Sequence, residues 1–103
     1  MAISRVTSVR ILPGRVDDFI ARLGEAKKIL ESHGSNVTFY RTHAGPDPGA
    51  VLVVATVDDW AQFAEVSAKV EADATWQAFE RQLVNDPVAE RLGVSIIQDF
   101  TLP

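Results

Sequence analysis

The stretch that decides the fold is Asn36-Val37-Thr38-Phe39-Tyr40-Arg41-Thr42-His43-Ala44-Gly45-Pro46-Asp47-Pro48-Gly49-Ala50-Val51-Leu52-Val53-Val54-Ala55-Thr56-Val57. Its first part, Asn36 to Ala44, is β-like, with Val37, Phe39, Arg41 and His43 on one side and Thr38, Tyr40, Thr42 and Ala44 on the other. Gly45-Pro46-Asp47-Pro48-Gly49 breaks it sharply, and Ala50 to Val57 follows as a nearly continuous apolar strand. The two strands form an antiparallel hairpin with a loop longer than the two-residue type.

Outward from the hairpin the periodicity changes. From Arg15 to His33 the residues Val16, Phe19, Ile20, Leu23, Ala26, Ile29 and Leu30 recur at spacings of three and four, and Gly34 stands as the stop, which predicts an amphipathic helix. Ahead of it Ile3 to Leu12 reads as a strand closed by Pro13-Gly14. Behind the hairpin Asp58 or Asp59 caps a second helical region, whose apolar residues are Trp60, Phe63, Val66 and Val70. A further helical stretch carries Trp76, Phe79 and Leu83, with a break expected at residues 71–75, where Asp73 or Thr75 can cap a new turn. Gly93 then precedes a last strand from Val94 to Thr101. The order is β-α-β-β-α-β, the ferredoxin-like α+β arrangement of a four-stranded antiparallel sheet with helices on one face. A single domain over residues 1–103 is expected from the chain length.

The third strand is apolar on both sides, and the fourth places Val94, Ile96 and Phe100 on one face and Ile97 on the other. A sheet covered by helices on one side only should alternate. The second apolar face calls for a partner, and a closed two-fold pair of identical chains is the commonest way to cover one. A homodimer is therefore expected.

Fourteen acidic against ten basic residues give a net charge of -4, which argues against a phosphate-backbone binder, so nucleic acid is not expected as a partner. The absence of cysteine excludes a disulfide framework, a thiolate metal site and a cysteine nucleophile. No stretch is apolar enough for a membrane span or a signal peptide, so no membrane partner and a cytoplasmic location are expected. Dinucleotide, Walker and H-E-x-x-H patterns are missing, and His33 and His43 have no carboxylate at metal-site spacing, so neither a metal nor another cofactor is expected. Asp17-Asp18 and Asp58-Asp59 sit where helix starts favour negative charge and are assigned to capping.

Several segments together resemble the dimeric α/β-barrel superfamily, in particular its small stand-alone members related to antibiotic-biosynthesis monooxygenases and NIPSNAP-like domains. They are Pro13-Gly14, Tyr40-Arg41-Thr42-His43-Ala44-Gly45, Asp58-Asp59-Trp60, Trp76-Gln77-Ala78-Phe79-Glu80-Arg81 and Asn85-Asp86-Pro87. The resemblance implies that two sheets pack across a dimer into a barrel-like core, with a pocket between sheet and helices. It further implies either a cofactor-independent monooxygenase or related enzyme acting on an aromatic or polyketide-like substrate, or a non-catalytic homodimeric module that binds a ligand or a protein. Arg41, His43, Trp60, Trp76 and Phe79 are the positions it singles out.

On their own chemistry these residues support two readings each. His43 is a base or haem ligand if it is oriented, and a surface or dimer-contact residue if it is not. Arg41, on the same strand side, can orient an anionic or carbonyl-bearing ligand or form an interface ion pair. Tyr40 faces the other way, as a core aromatic or a hydrogen-bond donor. Trp76 and Phe79 share one helical side, lining a pocket or filling a core. His33, beside Gly34, is expected to cap the first helix. Any small-molecule site is expected between the strand of Tyr40, Arg41 and His43 and the helical segment of Trp76 and Phe79, with His43 as base and Arg41 as orienter.

Overall fold

A computed structural model describes residues 1–102. The chain runs β1 (Ile3–Ile11), α1 (Val16–Ser32), β2 (Asn36–Arg41), β3 (Val51–Val57), α2 (Trp60–Ala72), α3 (Ala74–Asn85) and β4 (Ala89–Gln98). The strands pair antiparallel in the order β2-β3-β1-β4. This is the expected ferredoxin-like topology. The barrel is not: the sheet is open, with β2 and β4 as unpaired edges, and it does not close on itself. Closure needs tilted strands whose outermost members meet, and small closed barrels use about eight of them around a filled interior. The expectation of an α/β barrel is corrected to an open, two-layer α+β sheet.

Burial fixes which face is which. Ile3 is fully buried and clusters with Val57 and with Val66 and Val70 of α2, while Leu30, Phe63 and Trp76 pack around them. At the other end of the sheet Phe19 of α1 clusters with Val51 and Val88, flanked by Val9, Ile11, Leu23 and Ala89. Odd-numbered β1 residues therefore face the helices. Strand register carries this across to Val53 and Ala55 of β3, to Val37, Phe39 and Arg41 of β2, and to Val94 and Ile96 of β4. The opposite face bears Ser4, Val6 and Ser8, then Leu52, Val54 and Thr56, then Thr38 and Tyr40, and Ile97.

The strand boundaries differ from the sequence pattern chiefly at three places, one being the end of β4 at Gln98 rather than Thr101, which leaves Phe100 beyond the sheet and 82% exposed. β2 ends at Arg41 rather than Ala44, because the Thr42 amide donates to the Ala50 carbonyl (2.8 Å) and the Gly49 amide to the Thr42 carbonyl (2.6 Å), closing the loop early. Gly45 and Gly49 take positive φ there, at 124° and 84°, a conformation that costs glycine little. His43 consequently lies in the loop. β4 begins at Ala89 instead of Val94, and Gly93 lies inside it opposite Ser8, where the pairing with β1 shifts register. Glycine inside a strand commonly marks such a bulge, and here it bends an exposed edge.

The helical region after β3 divides at Asp73, as the capping signal predicts. Asp59 caps α2 by accepting from the Gln62 amide at 2.7 Å. Asp73 Oδ1 caps α3 by accepting from the amides of Thr75 (2.7 Å) and Trp76 (3.3 Å). Its other oxygen lies 2.6 Å from His33 Nε2. The His33 imidazole thus ties the end of α1 to the α2/α3 junction, where the sequence suggests a cap on α1's own carbonyls.

The His33 contact, followed by the Thr75 amide, holds the Asp73 carboxyl below its ordinary value of 3.8. A folded-state value below the unfolded one means that the group stabilises the fold above the unfolded value and ceases to do so as pH falls through the folded one. Asp73→Asn keeps the cap and removes the charge. Its stability, measured by urea unfolding, should fall less steeply than the parent's as pH drops from about 5 to about 2. Parallel pH profiles would show that the pair contributes nothing.

Candidate functional site

A groove of about 230 Å³ opens between α1 and β2. Its apolar wall comes from Ile11, Val16, Phe19, Ile20, Leu23, Phe39 and Val51, Arg41 adds the charged group, and Tyr40 borders it from β2 with its side chain on the other face of the sheet. The apolar stripe of α1 is only partly covered by the sheet. Phe19 goes into the core at 5% exposure, whereas Val16 and Ile20 remain 49% and 59% exposed along the rim. Strand alternation points Arg41 to the helix side with Phe39, and the short β2 places it at the groove mouth. Arg41 joins no ion pair among the described residues. It is the one charged group lining the groove.

The other candidates lie apart from it. His43 is exposed in the loop after β2 and is not among the lining residues. Trp76 and Phe79 stand on α3, with ring centroids 5.3 Å apart; Trp76 packs on the core around Ile3, and Phe79 is buried at 6% exposure. Trp60 begins α2 half-exposed, edge-on to Phe63 at 5.6 Å, and the Arg5 guanidinium lies 5.4 Å from the Phe63 ring centroid. The hairpin strand and the Trp76–Phe79 segment are not brought together, since α1 packs on β2 and α3 packs on α1 and α2. The α1 residues that do face Arg41 are visible in the sequence as an apolar stripe. Their pairing with β2 is not, because periodicity does not say which strand a helix crosses.

A group of ions pins the N-terminal half of α1 to the segment after α3. Arg15 donates to both oxygens of Asp86 at 3.0 Å, and the buried Arg22 donates from Nη2 to the same carboxylate at 3.1 Å. The Arg15 contact in particular lowers the Asp86 carboxyl below its ordinary value. Arg22 Nη1 is buried without a hydrogen-bond partner among the described residues. With Asp18 also paired to Arg15 at 2.9 Å, positive and negative charges balance, and the cluster is structural.

The remaining surface of note is the sheet face away from the helices. Its centre is Val6, Leu52 and Val54, with Tyr40 and Ile97 beside them at 56% and 51% exposure. Ser4 and Thr56 stand opposite each other there, and their hydroxyls hydrogen-bond at 2.7 Å. Charge is confined to one margin, where Arg10 reaches Glu90 and Asp47, each at 3.4 Å. Among the described residues no three His, Asp or Glu side chains converge as metal ligands, and no helix is long and apolar enough to cross a membrane.

No protein-family model matches this sequence, and no curated protein matches it either. Solved structures do match in fold. A NIPSNAP domain protein from Burkholderia xenovorans aligns over 100% of this chain and 98% of its own with a TM-score of 0.73 and 20% identity. A NIPSNAP family protein from Agrobacterium tumefaciens aligns over 94% and 90% with a TM-score of 0.69, also at 20% identity. SnoaB, a cofactor-independent oxygenase from Streptomyces nogalater, aligns over 99% and 97% with a TM-score of 0.69 at 12% identity. At these identities the likeness is one of fold: the chain has the ferredoxin-like architecture shared by NIPSNAP-like proteins and small oxygenases.

Proposed function

We propose that the protein works as a non-catalytic homodimeric module in which a second copy covers the helix-free face of the sheet. The observation that carries this reading is the composition of that face. Val6, Leu52, Val54 and Ile97 give it an apolar centre, and the Ser4–Thr56 hydrogen bond satisfies two hydroxyls in place. A buried hydroxyl without a partner is costly to dry, whereas a mutually bonded pair is not. The charged Arg10–Glu90–Asp47 group sits at the margin, as charge does at the rim of protein interfaces. The position of His43 supports a non-catalytic role: a general base must be held within reach of its proton, and this imidazole is exposed in a loop away from the groove.

Dimerisation of this kind links folding to concentration. The thermal midpoint should rise as protein concentration is increased from the micromolar range upward, because only the folded chain associates. A midpoint independent of concentration, together with a monomeric particle, would count against the module.

A further inference from the structure

We propose that the groove between α1 and β2 is a binding site for a small organic monocarboxylate, one with a single-ring or medium-chain apolar body. The reading goes beyond the dimer and does not depend on it, since the groove is walled mainly from the helix side of the sheet. Charge complementarity names the ligand class. The lining holds seven apolar residues and one cation, Arg41, which has no carboxylate of its own among the described residues, while Tyr40 borders the groove at the sheet edge with its side chain on the other face. A guanidinium at the mouth of an apolar cleft presents two parallel N–H donors, which match the two oxygens of a carboxylate.

Size narrows the class further. A volume of about 230 Å³ is below the usual range for drug-sized ligands, roughly 300–1,000 Å³. It corresponds to about eight water volumes of about 30 Å³. That suits a benzoate-sized or medium-chain acid. The apolar body would rest on Phe19, Ile20, Leu23 and Phe39, displacing water from surfaces that have no hydrogen bonds to lose. Arg41 would fix the acid end toward solvent.

The test is a titration of the full chain with 4-ethylbenzoate and with octanoate, followed by amide chemical shifts, alongside 4-ethylbenzamide as the neutral counterpart. Saturable shifts centred on Phe19, Ile20, Phe39 and Arg41 are expected for the acids, with the amide weaker by about tenfold or more. Arg41→Gln, at an exposed position, should weaken the acids by a similar factor, and Arg81→Gln on the exposed side of α3 should leave them unchanged. Absence of saturation, equal binding of acid and amide, or acid binding unaffected by Arg41→Gln would each overturn the proposal. The amide comparison is made on the parent chain and stands whether or not the variant folds.

Discussion

Val54→Asp should yield a folded monomer, and Val53→Asp should yield a strongly destabilised chain. The two valines are neighbours in β3, but the register sets them on opposite faces: Val53 pairs with Thr7 and Phe39 on the helix side, and Val54 pairs with Val6 and Thr38 on the open side. A carboxylate at position 53 is placed on the helix side of the sheet at a half-buried position, and the cost should be about 3 kcal/mol, a large fraction of the roughly 5–15 kcal/mol that holds a domain together. The same carboxylate at position 54 meets water in the monomer and is penalised only when a second copy dries the face. Circular dichroism and sedimentation separate the outcomes. Two unfolded variants would mean that the open face also belongs to the core of the single chain, and a dimeric Val54→Asp would place the contact elsewhere.

The second large effect belongs to Phe79. Truncation of a buried phenylalanine to alanine removes its transfer energy and leaves a cavity, together about 3–5 kcal/mol. Phe79 is 6% exposed and packs its ring beside Trp76, so Phe79→Ala should fall in that range by denaturant unfolding. Trp60→Ala is the matched comparison. Trp60 is 49% exposed, and its loss should cost under about 1 kcal/mol. Comparable costs would contradict the assignment of one aromatic to the core and the other to the surface.

These residues also show what the sequence discloses and what it withholds. The helix over Val16–Ser32, the hairpin and the cap at Asp73 are local phenomena, set by spacing, by Pro-Gly punctuation and by an Asx oxygen beside free amides. All three are legible. The alternation of Phe39, Tyr40 and Arg41 is legible as well, but which side the helices cover is a tertiary fact, and only the burial of Ile3 and Val51 settles it. That Arg41 faces α1 rather than Trp76 and Phe79 follows from where α1 crosses the sheet, which depends on the packing of whole elements. His43 moved out of reach because two backbone hydrogen bonds from Thr42 and Gly49 end the strand early, a loop-closure effect that composition alone does not show.

Long-range ion pairs were hidden for the same reason. His33 reads as a helix cap beside Gly34, yet its ring meets a carboxylate forty positions along the chain. Arg22 lies within an apolar helical stripe and is buried because Asp86, far off in sequence, is there to receive it. The barrel expectation failed at a different level. It came from resemblance, and an open sheet with β2 and β4 as free edges is what the single chain forms.

The homodimer is tested most directly by the mass of the particle in solution. Static light scattering on the purified chain at micromolar concentration and moderate salt should give twice the 11.2 kDa of one chain, and Val54→Asp should give 11.2 kDa while keeping its circular dichroism. A parent protein that scatters as a single 11.2 kDa chain across that concentration range would contradict the account, and the apolar face of Val6, Leu52, Val54 and Ile97 would then need another explanation.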